Sequence, residues 1–301
     1  MCRCDDRSHC RFNLRLFSKM KMLSANDPRP RTINSRRMRV NDVELNVVVQ
    51  GRGPDVLLVH GFPDDHTVWR NQIPALVDAG YRVIALDTRG CGESEIKPCE
   101  GDYAIDKLVA DLVALLDALG IAKVRLVGHD WGALQAWCFA MAHPQRVDRC
   151  LAMSVGHPAA YASGGVAQNL KSYYIFGIRL RGLIEFLVTR FDWWLFGLVL
   201  HYPAELRNIR ARLSRPGRLT AGFNYYRANL RQMLGRAFPR VKVPVVGIWS
   251  DGDVFLTEGQ MRPSERYCDA GFHYVRIDGA NHWPQLTAPE KLNPLLLQLL
   301  R

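Results

Sequence analysis

The sequence predicts an α/β protein: a mostly parallel central sheet with helices on both faces and an all-helical cap inserted into it. Three observations carry this. Short apolar, β-branched runs alternate with helical patterns from Met38 to about Gly156. The alternation then gives way to a long aromatic-rich stretch of helical spacing and resumes from Val243. Between the first and second observation stands one junction, Gly128-His129-Asp130-Trp131-Gly132, with the glycine-x-nucleophile-x-glycine form of a sharp strand-to-helix turn.

Taken in order, "MRVNDVELNVVVQGRGPDVLLVHGFP" gives two β-rich runs, a Gly-Pro turn and the apolar strand Val56 to Val59. "TVWRNQIPALVDAG" reads as a helix closed by Gly80, and "YRVIALD" as a buried strand leading into the loop "TRGCGES". "YAIDKLVADLVALLDALG" has helical apolar spacing and a terminal glycine. "KVRLVG" is a strand entering the sharp turn, "ALQAWCFAMAHP" the helix leaving it, and "VDRCLAMSV" another strand. Three aromatic-rich stretches fill the insertion, "LKSYYIFGIRLRGLIEFLV", "DWWLFGLVLHY" and "FNYYRANLRQML". Strand "VPVVGIW", a helix near Glu258 to Cys268, strand "HYVRID" and a last helix toward Leu300 complete the chain. The expected organisation is a basic extension over 1–36 that is disordered, a core over 37–156 and 241–301, and a helical cap over 157–240.

Composition narrows the function classes. With 301 residues, 48% apolar and 23% charged, the chain can bury a full core without disulfides or metals. Eight cysteines have no framework spacing, which predicts a reducing, cytoplasmic setting. The net charge of +11 suggests nucleic acid until it is located: residues 1–37 hold ten Arg or Lys against three Asp, so the excess is mostly a property of the tail, and no nucleic-acid partner is expected. Cys2, Cys4, His9 and Cys10 lack the second paired cluster of a metal site, and neither metal nor cofactor is expected. The apolar run Gly182 to Leu200 is broken by Glu185, Arg190 and Asp192, so no integral membrane segment is expected.

In open α/β sheets reactive groups gather beyond the carboxyl ends of strands. Asp130 follows "KVRLVG", Asp251 and Asp253 follow "VPVVGIW", and His282 follows "HYVRIDGAN", in the order nucleophile, acid, histidine. A serine needs a histidine base to become nucleophilic, whereas an aspartate is already ionised at neutral pH. Attack by a carboxylate on an ester or amide would leave an anhydride. Attack on a saturated carbon bearing a leaving group instead gives an alkyl ester, which water activated by His282 can cleave. The backbone N–H groups of Phe62 and Trp131 are placed to hold the oxyanion of that second step. Epoxides and alkyl halides both fit. A departing halide wants indole or amide N–H donors, while an opening epoxide wants hydroxyl donors that can protonate an alkoxide.

The motifs "HGFP", "DTRGCGES", "GHDWG", "GFNYYRAN" and "GANHW" together resemble the α/β-hydrolase-fold epoxide hydrolases, the aspartate-nucleophile branch related to haloalkane dehalogenases, over residues 38 to 300. That resemblance implies Asp130 as nucleophile, His282 as base and Asp253 rather than Asp251 as the acid that orients it. It implies Tyr226, in "NYYR", as the ring-opening acid and Tyr174, in "KSYYIF", as its partner, with Tyr173 adjacent. Trp131, Phe62 and Tyr173 are the expected substrate contacts. The implied partners are a small apolar epoxide and water, with a homodimer as the assembly to be considered. His60 and His129 are expected to hold loop and turn, and His143 has no role. Two alternatives stand beside this: a haloalkane dehalogenase using the same triad, in which Trp131 would bind halide, and a non-catalytic ligand-binding relative.

Overall fold

A computed structural model of the chain describes residues 33–233 and 236–301, so most of the basic extension, including Cys2, Cys4, His9 and Cys10, lies outside the described residues. Eight strands make one sheet: β1 (Ser35–Val40), β2 (Val43–Gln50), β3 (Asp55–Val59), β4 (Arg82–Leu86), β5 (Val124–His129), β6 (Val147–Met153), β7 (Val245–Gly252) and β8 (Phe272–Asn281). Their order is β1-β2-β4-β3-β5-β6-β7-β8. The first three in that order pair antiparallel and all later pairs are parallel. The chain is in register with β2 from Ser35, slightly inside the stretch read as extension.

The interior strands need no polar face because helices cover both sides. Val56, Leu57, Leu58 and Val59 of β3 and Leu126 and Val127 of β5 are all buried, as continuous apolar runs in parallel sheets should be. Helix α1 (Gln72–Asp78) is shorter than its sequence pattern suggests, since a separate 3₁₀ turn at His66–Trp69 takes the first residues. There Asp65 accepts the Thr67 N–H at 2.9 Å and closes the turn before α1 can begin. Helix α2 (Ile105–Ala118) buries Ile105, Leu108, Val109, Leu112, Leu115 and Leu116, one stripe at helical spacing. Helix α3 (Trp131–Ala142) is different: nine of its residues are buried around its whole circumference. It packs on β3, β5 and β6 and against α2, with Trp131 at its start against α10, and an apolar surface on every side suits that place.

Between β6 and β7 every described element is helical: α4 (Pro158–Ala162), α5 (Gly165–Lys171), α6 (Tyr174–Ile178), α7 (Leu183–Arg190), α8 (Trp194–Leu200), α9 (Pro203–Leu213) and α10 (Arg218–Met233). The stretch read as one aromatic helical block is broken at Gly182, whose φ of +79° and backbone N–H bonded to Glu185 start a new helix. Helix α10 is fixed to the sheet side by buried polar clamps. Asn229 gives its amide to the Tyr103 carbonyl at 2.9 Å and accepts the Ile105 N–H at 2.7 Å, while the Tyr225 hydroxyl reaches the Arg89 carbonyl at 2.7 Å. Buried hydrogen bonds of this kind cost much to break, so they fix where the next residue, Tyr226, stands. The chain ends in α11 (Glu258–Met261), α12 (Pro284–Thr287) and α13 (Pro289–Leu299).

Candidate active site

Asp130 sits at the junction of β5 and α3 with φ +53° and ψ −120°, a backbone state few residues other than glycine adopt. The strain is held by the surroundings. The Asp130 N–H bonds the Met153 carbonyl at 3.2 Å, and a Cβ on Gly132 would collide with the Val59 carbonyl, so only glycine lets α3 lie that close to β3. Gly61 is required for a like reason, since a Cβ there would meet the Asp130 carboxylate itself. The result is a buried aspartate, 8% exposed as a residue. Its Oδ1 accepts the Phe62 N–H at 3.0 Å, and the Trp131 N–H bonds the same group. Burial pushes the Asp130 pKa up, and nearby His282 together with the two N–H donors pulls it back.

His282, in the loop after β8, places Nε2 at 3.7 Å from Asp130 Oδ2 and Nδ1 at 2.8 Å from Asp253 Oδ2. Asp253 is buried and its other oxygen accepts the N–H groups of Phe255 and Leu256, both at 2.9 Å, so the carboxylate cannot swing away from the imidazole. Burial disfavours the His282 cation, yet Asp253, through charge and hydrogen bond, and then Asp130 raise its pKa above the ordinary value. Asp251 faces solvent, where it accepts the Gly279 N–H at 2.7 Å and pairs with Arg276. Of the two aspartates after β7, geometry gives the histidine to Asp253.

The neighbouring histidines tie the frame together. His129 Nε2 bonds the His282 carbonyl at 2.8 Å. His60 bonds its own loop at Gly61 O and receives the Thr88 N–H at 2.9 Å. Burial pushes both pKa values down, which suits neutral rings acting as hydrogen-bonded struts. His143 packs against Phe139 at a helix end, far from this cluster in the sequence pattern and without a bond to it.

Above the carboxylate lies a cavity of about 310 Å³, lined by Asp130, His282, Phe62, Tyr173, Tyr174 and Tyr226 together with aliphatic and aromatic residues of α6, α7 and α8. Tyr174 and Tyr226 face each other, ring centroids 6.1 Å apart, and their hydroxyls are within hydrogen-bonding reach. Burial pushes both phenols well above the ordinary tyrosine value, and Asp130 adds to it, so both keep their protons at any ordinary pH. Tyr173, by contrast, turns largely to solvent at the rim.

Trp131 departs from the expectation of a substrate contact. Its indole is not among the groups lining the cavity; it is half-buried and packs edge-on against the rings of Tyr226 and Tyr225, centroids 5.0 and 5.8 Å away. The physical reason is the turn itself: α3 starts at Trp131 and carries the side chain away under α10, leaving only its N–H on the carboxylate. Sequence reasoning missed Phe255 and Trp283, which flank the imidazole at 5.0 and 4.8 Å between ring centroids and also line the cavity. The signal was present, since each lies within two residues of a triad member. It also missed Asp64, a buried carboxylate that accepts the Trp283 indole N–H at 2.8 Å and lies 3.7 Å from Arg212. Burial pushes its pKa up to about 7.

Comparison with known proteins agrees with this architecture. The family profile described as alpha/beta hydrolase fold matches residues 54–174. The chain is 33% identical to the AB hydrolase superfamily protein YfhM of Bacillus subtilis (strain 168), over 88% of this chain and 96% of that one. It is 32% identical to epoxide hydrolase A of Mycobacterium tuberculosis (strain ATCC 25618 / H37Rv), again over 88% of this chain and 96% of the relative. The crystal structure of epoxide hydrolase A from Mycobacterium thermoresistibile superposes with a TM-score of 0.75 at 29% identity, covering 90% of this chain and 98% of that one.

Proposed function

This chain belongs to the epoxide hydrolases of the α/β-hydrolase superfamily, and from that membership we propose that it opens a largely apolar epoxide to a vicinal diol in two steps. Asp130 Oδ2, the carboxylate oxygen turned toward His282, attacks a ring carbon. The C–O bond breaks, and the departing oxygen takes a proton from Tyr226 or Tyr174. Both hydroxyls stand over the cavity with their protons held by burial. The product of this step is an alkyl ester on Asp130.

Forming that ester removes a negative charge 3.7 Å from His282 Nε2. Two unit charges at about 4 Å interact by roughly 4 kcal/mol at an effective dielectric of about 20. The imidazole therefore becomes less basic at the moment the ester forms, which favours the neutral form that can take a proton from water. Asp253 keeps Nδ1 protonated and Nε2 free to accept. Water adds to the ester carbonyl, whose oxygen Oδ1 develops charge facing the N–H groups of Phe62 and Trp131. Collapse expels the diol oxygen, which takes the proton held by His282; the Asp130 carboxyl then gives up its own proton, which restores the tyrosine hydroxyl, so diol, carboxylate, imidazole and phenol are all regenerated. The apolar walls suit a hydrophobic epoxide. Free thiols at Cys91, Cys99, Cys138, Cys150 and Cys268 accord with a reducing, cytoplasmic location.

The single observation that carries this reading is the pair of tyrosines, buried Tyr226 and half-buried Tyr174, that line the cavity together with Asp130. The Trp131 indole, which a halide site would need, packs against the Tyr226 ring and is not among the cavity-lining groups. The test is to incubate the protein separately with an aryl epoxide and a bromoalkane and score diol against bromide. Diol from the epoxide is expected. Bromide without diol would replace ring opening by dehalogenation, and neither product from a folded protein would leave a ligand-binding relative.

A further inference from the structure

Helices α6, α7 and α8 form a wall one helix thick between the cavity and solvent, and it is apolar on both sides. Inward, Ile178, Ile184, Val188 and Phe196 line the cavity. Outward, Phe176, Leu180, Leu183, Phe186, Trp194 and Leu198 are each between 51 and 70% exposed. Among the described residues, ten of the eleven large exposed hydrophobics fall between Val166 and Leu198, so this is one region and not the usual scatter. The inward face is explained by an apolar ligand. The outward face is not.

Charge indicates what covers it. Arg179, Arg181 and Arg190 are exposed within the same stretch and form no ion pair among the described residues. The acids nearby are already neutralised: Glu185 by Arg227 at 2.7 Å and Asp192 by Arg210 at 2.5 Å. What remains is an apolar face with an indole, studded with free guanidinium groups. A protein partner would be expected to meet some acidic complement, whereas anionic lipid meets both features at once: acyl chains take the Phe, Leu and Trp side chains while headgroups take the arginines. The three helices have five, eight and seven residues, far too few to cross a bilayer, and no helix among the described residues is long and apolar enough to do so.

We propose that the outer face of α6, α7 and α8 docks in the plane of an anionic lipid surface. The wall of the cavity then rests on the bilayer, and an apolar ligand dissolved there reaches the cavity past Tyr173, which lines it and is exposed at its rim. Vesicle capture is measured without substrate, so the docking stands or falls apart from the ring-opening reading.

The test is co-sedimentation of the full chain with phosphatidylglycerol/phosphatidylcholine vesicles and with phosphatidylcholine alone, at low and high salt. Capture by the anionic vesicles is expected, weaker at high salt. Phe186→Asp with Trp194→Asp should reduce capture about tenfold or more. Both side chains are exposed and outside the cavity, so far-UV circular dichroism and the melting transition should be unchanged. The Arg179→Gln, Arg181→Gln, Arg190→Gln variant should lose the preference for anionic over neutral vesicles. No capture of wild type at low salt, or equal capture of the Asp variant, overturns the proposal. A stable dimer in light scattering that the Asp variant dissociates, with no vesicle capture, overturns it in favour of a second copy of the chain.

Discussion

Replacing His282 by Gln separates the two proposed steps. The nucleophile is untouched: Asp130 Oδ1 keeps its bond to the Phe62 N–H at 3.0 Å, and Tyr174 and Tyr226 still face the cavity. A glutamine amide can still donate to Asp253, whose other oxygen stays bonded to the N–H groups of Phe255 and Leu256, so the loop has no reason to unfold. What disappears is the base. General-base catalysis contributes about 10²–10⁴-fold, or roughly 3–5.5 kcal/mol, and all of it belongs to ester hydrolysis. Ring opening should therefore run close to its normal rate and stop at the ester. The assay is rapid quench of an equimolar mixture with an aryl epoxide, followed by intact and peptide mass spectrometry. One substrate mass should appear on the peptide containing Asp130, stoichiometric with enzyme. Undiminished turnover with no adduct would refute the two-step scheme. A folded variant that forms neither ester nor diol would show that His282 acts before the ester exists.

The tyrosines share one task, so Tyr226→Phe and Tyr174→Phe should each retain part of the ring-opening rate and the double variant should lose about 10²–10⁴-fold, read from single-turnover ester formation; a fully active double variant would remove hydroxyl protonation. Asp253→Asn takes away the charge that raises the His282 pKa, so the acid limb of the kcat profile should move to lower pH while the plateau falls, and an unmoved limb would separate Asp253 from the histidine. Asp64 has a folded pKa raised to about 7 against an ordinary value of 3.8. Its contribution to stability is thus full below about pH 4 and is lost as pH rises through about 7. Asp64→Asn has no such loss, so its stability relative to wild type should improve by about 3 kcal/mol between pH 5 and pH 8 in urea unfolding. A pH-independent difference would mean that Asp64 is ionised throughout.

The alternation of strands and helices, the glycines around Asp130 and the order Asp130, Asp253, His282 were all legible in the sequence, because each is a local rule: period, turn chemistry and chain order. The N–H of Trp131 was legible too, being fixed by its place after the turn. Its side chain was not, since only the packing of α3 under α10 sends the indole behind Tyr226 and out of the cavity. For Asp251 and Asp253 the family motif already favoured Asp253, and tertiary structure supplies the physical reason by burying that one against His282 and leaving Asp251 on a surface turn. Asp64 and the paired faces of the α6, α7 and α8 wall had no local signature, because a raised pKa and an unpartnered apolar face depend on what the rest of the chain brings near. The sequence by itself determined the strand ends on which the reactive groups stand. Which of those groups meet, and which are turned away, was decided by burial and by contacts between residues far apart in the chain.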